Sequence, residues 1–191
     1  MTGAHEAILW GDLALLMTVV QMNRNLLRET DHRGWLPLHR ACAEDNSSMV
    51  EYLLSVGSSL QAQSQRGETG LYLACRMGAA RVVRLLLSRG ADPQLTLTNG
   101  KTPLMAAVQS SSRDCVRLLL AHGGCLIDAV DEWGQTALFQ ATLQHYGVIV
   151  HLLLEAGADP TVRNAEGETA AELARRSSYP HIFHVLKVRV L

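Results

Sequence analysis

Two pairs of side chains have the spacing of metal ligands. His122 and Cys125 lie three residues apart, as do His181 and His184, and imidazole and thiolate groups are common ligands of zinc. A structural zinc site takes four such ligands, and neither pair has a second pair to complete it. His122 also fits the end of a helix, where positive charge is favourable. We therefore predict no metal site.

The sequence contains none of the common catalytic motifs. It has no glycine-rich phosphate-binding loop, no Gly-x-Ser-x-Gly and no His-Glu-x-x-His, the patterns on which several large classes of catalytic site depend. Cys42 and Cys75 are predicted to be small buried side chains rather than reactive thiols. The sequence therefore predicts a protein that is not an enzyme and that uses no cofactor.

One tract near the C-terminal end fits a modification site. Arg175, Arg176, Ser177 and Ser178 resemble the substrate of a basophilic kinase, and phosphorylation of Ser178 would add about −1.5 to −2 charges. The alternative is a solvated helix end, where arginines interact favourably with the helix dipole. The sequence leaves both interpretations open.

Composition and charge argue against several other classes of function. Of the 191 residues, 48% are hydrophobic and 5% aromatic, and the formal net charge is −1. So balanced a charge does not favour nucleic-acid binding, and no apolar run reaches the roughly 18 residues of a membrane span. The N-terminal stretch lacks the positive charges of a secretory signal, and four scattered cysteines suit a reducing compartment. We predict a cytoplasmic or nuclear protein that binds neither nucleic acid nor membrane.

The elements that must position these side chains follow an internal repeat. Glycines recur at spacings of 33, 33, 34 and 33 residues, with pairs of apolar residues, mostly Leu-Leu, in the same register. Each unit is predicted to be a turn followed by two short helices; in one of them Thr69 caps the first helix and 81–88 forms the second. Helices this short are stable only when stacked on neighbouring units. The recurring glycines are Gly34, Gly67, Gly100, Gly134 and Gly167.

Several tracts in these units resemble the ankyrin repeat. They are Gly-Lys-Thr-Pro-Leu at 100–104, Trp-Leu-Pro-Leu-His-Arg-Ala at 35–41 and Gly-Ala-Asp-Pro at 90–93. The resemblance implies an all-α ankyrin-repeat solenoid, whose helix-turn-helix units are joined by β-turn or hairpin-like loops. We expect a single domain over 1–191, with a divergent first repeat, four full repeats and a truncated last repeat. Their ranges are 4–30, 31–63, 64–96, 97–130, 131–163 and 164–191.

Two tracts suggest a narrower kinship. The sequences at 31–39 and 67–74 are similar to those of the ankyrin-repeat and SOCS-box family. That resemblance implies the substrate-recognition subunit of a cullin–RING ubiquitin ligase, with elongin and cullin as partners of a longer form. The family's box needs a cysteine-containing helix after the repeats, and no cysteine follows Cys125. The ligase function is therefore kept as the alternative, with the box missing from this chain.

The resemblance to the ankyrin repeat also implies where partners bind. Turn tips and the exposed sides of the first helices line a concave groove, so the chain is expected to be a non-catalytic protein–protein interaction module or adaptor. Its partner would be another protein or an extended peptide segment. His39 is expected to make local hydrogen bonds instead. Carried over by position, the predicted contact residues are His32, Arg33, Trp35, Glu44, Arg66, Glu68, Arg76, Met77, Asn99, Lys101, Gln109, Glu132, Trp133, Gln135 and Gln144.

Two of these residues, Trp35 and Trp133, have two possible roles. Tryptophan is enriched among the residues that dominate interface energy, so each is predicted either to anchor a partner or to bridge neighbouring tips. If both are anchors, replacing them together with Arg76 is expected to abolish binding and to leave thermal stability nearly unchanged. An acidic group of the partner is expected near Arg66, Arg76 and Lys101.

The two ends of the chain carry further apolar residues. Trp10 is expected to seal the first repeat. Val188, Val190 and Leu191 form an apolar terminus that suits a dimer contact or a missing neighbour, although a monomer is the expected state.

Overall fold

The computed structural model describes the backbone of residues 3–190 and the side chains of residues 3–187. Within this range twelve α-helices follow one another as six pairs, with one 3₁₀ helix after the first pair. Apart from an isolated bridge between Arg163 and Thr169, the described backbone has no β-structure, which confirms the all-α class. The helices are α1 (Gly3–Leu9), α2 (Leu13–Met22), the 3₁₀ helix Arg24–Arg28, α3 (Pro37–Ala43), α4 (Ser47–Ser55), α5 (Gly70–Arg76), α6 (Ala80–Ser88), α7 (Pro103–Gln109), α8 (Arg113–His122), α9 (Ala137–Leu143), α10 (Gly147–Glu155), α11 (Ala170–Arg176) and α12 (Pro180–Val190).

Threonine side chains cap the N-termini of four of the first helices. The Thr69 hydroxyl accepts a hydrogen bond from the Tyr72 N–H at 3.1 Å, and Thr102, Thr136 and Thr169 cap α7, α9 and α11 in the same way. Each cap satisfies an N–H group that a helix end leaves without an intrahelical partner. The predicted role of Thr69 is confirmed.

His39 makes the side-chain hydrogen bonds at the start of α3. Leu36 precedes this helix and has no polar side chain, and its N–H donates to His39 Nδ1 at 3.1 Å. His39 Nε2 lies 2.9 Å from the Ala62 carbonyl oxygen. Burial lowers the pKa of the imidazole, although the bond to Ala62 acts the other way. The predicted role of His39 in local hydrogen bonds is confirmed.

The helices form two parallel rows in which each layer contacts its neighbours. The first helices α1, α3, α5, α7, α9 and α11 pack in one row, and the second helices pack in another. Leu53, Leu86, Leu119 and Leu153 occupy equivalent positions on successive second helices and are fully buried. Because each helix pair packs against the pairs next to it in the row, the fold is a solenoid, as predicted.

Glycine is required where successive turn tips meet. Gly100 and Gly134 have φ angles of +79° and +69°, and residues with a side chain rarely adopt such positive values. A Cβ at Gly134 would lie 2.7 Å from the Ala165 nitrogen, and one at Gly100 would lie 2.9 Å from the Val130 oxygen. The tips therefore stack by direct backbone contact.

The structure tests the predicted burial of Trp10, Cys42 and Cys75. The prediction for Trp10 is wrong: its side chain is 70% exposed, because α1 ends at Leu9 and the chain turns at Gly11. Cys42 and Cys75 are buried as predicted, and burial raises the pKa of both thiols.

The remaining expectations about the ends and boundaries are not tested. The side chains of Val188 and Val190, and the whole of Leu191, lie outside the described residues. The bounds of the six repeats stay a prediction.

Candidate functional site

Asp31 organises the tip of the second repeat. Its Oδ1 accepts hydrogen bonds from the N–H groups of Arg33 and Trp35 at 2.8 and 3.0 Å, and its Oδ2 pairs with Arg40 Nη2 at 2.8 Å. Burial raises the pKa of Asp31, but the two N–H donors and the Arg40 guanidinium outweigh it, so the pKa lies below its usual value. The backbone that carries Arg33 and Trp35 is thus held in one conformation.

Trp35 joins the second repeat to the third. Its side chain is 4% exposed, and the indole Nε1–H donates to Glu68 Oε2 at 2.6 Å. Glu68 is equally buried and also accepts a hydrogen bond from the Ser64 hydroxyl. Of the two roles predicted for Trp35, the structure shows the bridge between neighbouring tips. Both side chains are buried, so they offer a partner little surface, and their predicted contact with a partner stays a prediction.

Three guanidinium groups surround the Trp35 ring. The Cζ atoms of Arg33, Arg40 and Arg76 lie 5.2, 5.4 and 5.6 Å from the ring centroid, within the range of cation–π attraction. Arg76 also pairs with Glu68 Oε1 at 3.1 Å. The indole therefore lies at the centre of a group of arginines from two successive repeats.

Two clefts open along this row of tips. The first, of about 330 Å³, is lined by His32, Arg33, Trp35, Gln65, Arg66, Glu68 and Arg76. The second, of about 520 Å³, is lined by Arg66, Glu68, Tyr72, Arg76, Leu97, Thr98, Asn99, Lys101 and Gln109. Because three lining residues are shared, the two clefts adjoin one another along the second, third and fourth tips.

The tip of the fifth repeat repeats the scaffold of the second but not its burial. Asp131 Oδ1 accepts from the N–H groups of Trp133 and Gln135, both at 3.0 Å, and its Oδ2 accepts from Gln140. Trp133 is nevertheless 51% exposed, with Lys101 Nζ 5.1 Å from its ring centroid. This tryptophan is available to a partner.

Exposed apolar side chains extend the surface along the ends of the first helices. Leu9 ends α1, Met77 follows α5 and Leu143 ends α9, and they are 55%, 57% and 43% exposed. We call this row, the tips and the two clefts together the tip surface.

Most predicted contact residues reach the tip surface. Arg76, Asn99, Lys101 and Gln135 are half-buried. Their role in binding, and that of the exposed residues, stays a prediction. The exposed members are His32, Arg33, Glu44, Arg66, Met77, Gln109, Glu132, Trp133 and Gln144.

The sequence prediction missed the residues that support this surface. Asp31 and Asp131 stand three residues before their tip glycines, and that shared register was a signal. The pairing of Arg40 with Asp31 had no such signal, because it depends on how the turn folds back on α3.

Three further features bear on the predictions. Among the described residues, no group of three or more His, Cys, Asp and Glu side chains is arranged to hold a metal ion, and no helix is long and apolar enough to cross a membrane. Ser178 is exposed and follows α11 at a φ of +60°. Its phosphorylation stays a prediction.

Comparison with known families decides the identity of the fold. The family model for ankyrin repeats matches residues 4–96 and 89–164. The chain belongs to the ankyrin repeat family. Such a domain is typically a protein–protein interaction module, and its fold is generally non-enzymatic. Kinship with the SOCS-box branch stays a prediction.

Relatives and solved structures agree with this assignment. The domain is 32% identical over 62 residues to protein phosphatase 1 regulatory subunit 27 of Homo sapiens and of Mus musculus, a match covering 32% of this chain and 40% of theirs. The crystal structure of the ankyrin repeat domain of Bcl-3, of the IkappaB family, superposes with a TM-score of 0.89 at 28% identity, covering 99% of this chain and 86% of that one.

A second solved structure contains a protein complex. It is the predatory endopeptidase Bd0816 from Bdellovibrio bacteriovorus with the immunity protein Bd3460. One chain superposes with a TM-score of 0.85 at 29% identity, and the match covers 98% of this chain and 97% of that one.

Proposed function

We propose that this ankyrin repeat domain is a non-catalytic adaptor that binds an extended segment of another protein along the tip surface. The observation that carries the proposal is that two adjoining clefts follow the tips and share Arg66, Glu68 and Arg76. Two adjoining clefts across three tips suit an extended chain better than a compact small molecule, which favours one enclosed pocket.

The chemistry of the tip surface sets the expected chemistry of the segment. Its centre is basic, with Arg33, Arg66 and Lys101 lining the clefts. Its far end is apolar, with Trp133 and Leu143 exposed. The complementary segment carries an acidic group at its centre and an apolar side chain toward the fifth repeat, because opposite charges steer association and buried aromatic groups supply affinity.

The relatives support a protein as the partner. One group is named as regulatory subunits of a phosphatase, and one superposing chain comes from a complex of two proteins. A cytoplasmic location and the ubiquitin-ligase alternative stay predictions from the sequence.

Peptide display against the folded domain tests the proposal. Selected peptides are measured by fluorescence anisotropy against the wild type, against a tip variant (Lys101→Gln with Trp133→Ala) and against Leu143→Ala. The tip variant is expected to lose at least about tenfold in affinity, since each truncated hot-spot residue typically costs more than 1 kcal/mol.

A matched control distinguishes the tip surface from the opposite face. Arg84 and Arg117 are exposed on the second helices α6 and α8, so Arg84→Gln with Arg117→Gln leaves the tips intact. This variant is expected to bind selected peptides as tightly as the wild type. Peptides that lose affinity only in the control would place the binding face on the second helices and refute the proposal.

A further inference from the structure

The cleft between the second and third tips has the charge of an anion site. Three arginines and one glutamate among its lining residues leave a net charge of +2. Glu68 is already bonded to Trp35, Ser64 and Arg76. Within the part of the chain that the structure describes, neither Arg33 nor Arg66 has a carboxylate within 4.0 Å.

Arg33 and Arg66 occupy the same position on adjacent tips. Each immediately precedes the glycine of its tip, Gly34 and Gly67, and each is exposed. The two side chains therefore rise from neighbouring turns on either side of one cleft, whose lining includes both.

The backbone that carries each arginine is fixed. The Arg33 N–H donates to Asp31 Oδ1 at 2.8 Å. The Arg66 N–H donates to Ser64 Oγ at 3.3 Å, and its carbonyl oxygen accepts from the Thr98 N–H at 3.3 Å.

Two cleft arginines also lie against the same aromatic ring. Arg33 and Arg76 both lie over the Trp35 ring, and the ring is tied through its indole N–H to Glu68. Groups held in place before binding lose less conformational freedom when a ligand arrives.

We propose that this cleft binds a phosphorylated side chain of the partner segment. A phosphoryl group carries about −1.5 to −2 charges at neutral pH and three acceptor oxygens, which matches two unpaired guanidinium groups and the donors of Arg76. A glutamate brings one charge and two oxygens and matches the cleft only in part. The proposal rests on the proposed function, because it names the group that the tip surface recognises.

Three pools of fluorescent nonapeptides with random flanks test this inference. Their central residue is phosphoserine, phosphotyrosine or glutamate, and binding is followed by anisotropy. One phosphorylated pool is expected to bind about tenfold or more tightly than the glutamate pool, because charge-assisted hydrogen bonds to arginine are the stronger ones. The Trp35 indole N–H resonance is expected to shift on binding, since the ring lies beneath the arginines.

Two variants with the same change in charge locate the site. Arg33→Gln with Arg66→Gln is expected to remove the preference for phosphorylated peptides. Arg81→Gln with Arg84→Gln changes exposed arginines of α6 and is expected to keep it. Unchanged thermal unfolding of both variants shows that neither result comes from misfolding.

Several outcomes would overturn the inference. They are equal binding of all pools, an unchanged preference in Arg33→Gln/Arg66→Gln, inorganic phosphate that binds as tightly as the phosphorylated pool, and tighter binding to vesicles containing phosphatidylinositol phosphates. The proposed function fails separately: selected unphosphorylated peptides would then be insensitive to Lys101→Gln/Trp133→Ala, whatever the phosphorylated pools do.

Discussion

The tips of the second and fifth repeats each carry a tryptophan on the same aspartate scaffold, yet one ring is buried and the other is exposed. Trp35 is 4% exposed and Trp133 is 51% exposed. Trp35 donates to a carboxylate of the next repeat, whereas Trp133 has Lys101 of the preceding repeat near its ring.

The position of each tryptophan relative to its tip glycine explains the difference in exposure. Trp35 follows the tip glycine Gly34, and Trp133 precedes the tip glycine Gly134. The residues that follow the five glycines are buried or half-buried, whereas four of the five that precede them are exposed. The position after the glycine is therefore the more buried of the two, and the position before it is the more exposed. The first set is Trp35, Glu68, Lys101, Gln135 and Glu168, and the second is Arg33, Arg66, Asn99, Trp133 and Glu166.

The largest expected effect is on stability at Trp35. Trp35→Ala removes a buried ring and leaves the Glu68 carboxylate without its indole donor. We expect the free energy of unfolding to fall by about 3–5 kcal/mol, the usual cost of truncating a buried aromatic residue. Urea denaturation measures it. The result also tests the expectation that replacing Trp35, Arg76 and Trp133 together leaves thermal stability nearly unchanged, and a loss below about 1 kcal/mol would contradict the bridge.

Glu68 is expected to have the next largest effect. Glu68→Ala removes the acceptor of Trp35, Ser64 and Arg76 at once, and we expect a loss of about 1–3 kcal/mol from unpaired polar groups. Glu68→Gln keeps one acceptor oxygen and is expected to lose less. Urea denaturation of both variants measures the difference.

The last repeat offers a matched control for Glu68. Glu168 also follows its tip glycine and pairs with Arg176 at 3.0 Å, but the side chains of Glu168 and Arg176 are 17% and 67% exposed, against 5% and 34% for Glu68 and Arg76. Glu168→Ala is expected to change stability by less than about 1 kcal/mol, because exposed ion pairs contribute little. Equal losses at Glu68 and Glu168 would refute the importance of burial.

His39 gives the second repeat a pH dependence that the fifth lacks at the equivalent position, where Phe139 stands. Burial lowers the pKa of His39 below its usual value of 6.5, so the unfolded chain binds this proton more readily than the folded one. The resulting stability is present above pH 6.5 and is lost as the pH falls through the lower folded pKa. The stability advantage of wild type over His39→Gln is expected to shrink between pH 7.5 and 5. A constant difference across unfolding curves would contradict this.

Trp133 is expected to have the smallest effect on stability. Trp133→Ala removes a half-exposed ring and the contact with Lys101, so we expect a change of about 0.5 kcal/mol, typical of surface substitutions. The same urea measurement, set beside Trp35→Ala, tests the comparison directly. A loss similar to that of Trp35→Ala would mean that register does not separate the two positions.

The repeated, local features of the fold were predictable from the sequence. Thr69 caps its helix through a residue only three positions away, and the stacked Leu53 and Leu86 recur with the period of the repeat. Such features depend on short-range geometry that each unit reproduces, so one repeat predicts the next.

Contacts that depend on how the tips pack were not predictable in the same way. Glu68 has the composition of a surface residue, and only its neighbours Trp35 and Arg76 make burial favourable. Trp10 has the composition of a core residue, but the turn at Gly11 leaves it in solvent. Residue type alone therefore predicts the wrong burial for both side chains, whereas the position of Glu68 after its tip glycine indicates that it is buried.

The hydrogen bond between Trp35 and Glu68 stabilises the interface between two adjacent repeats rather than the interior of either one. In a linear array each layer is coupled only to those beside it, so strong interfaces make adjoining layers melt together and weak interfaces let a segment fray independently. A ligand bound across this interface would strengthen the coupling between the first two repeats and the repeats that follow. Ligand binding would then increase the cooperativity of unfolding of the whole array.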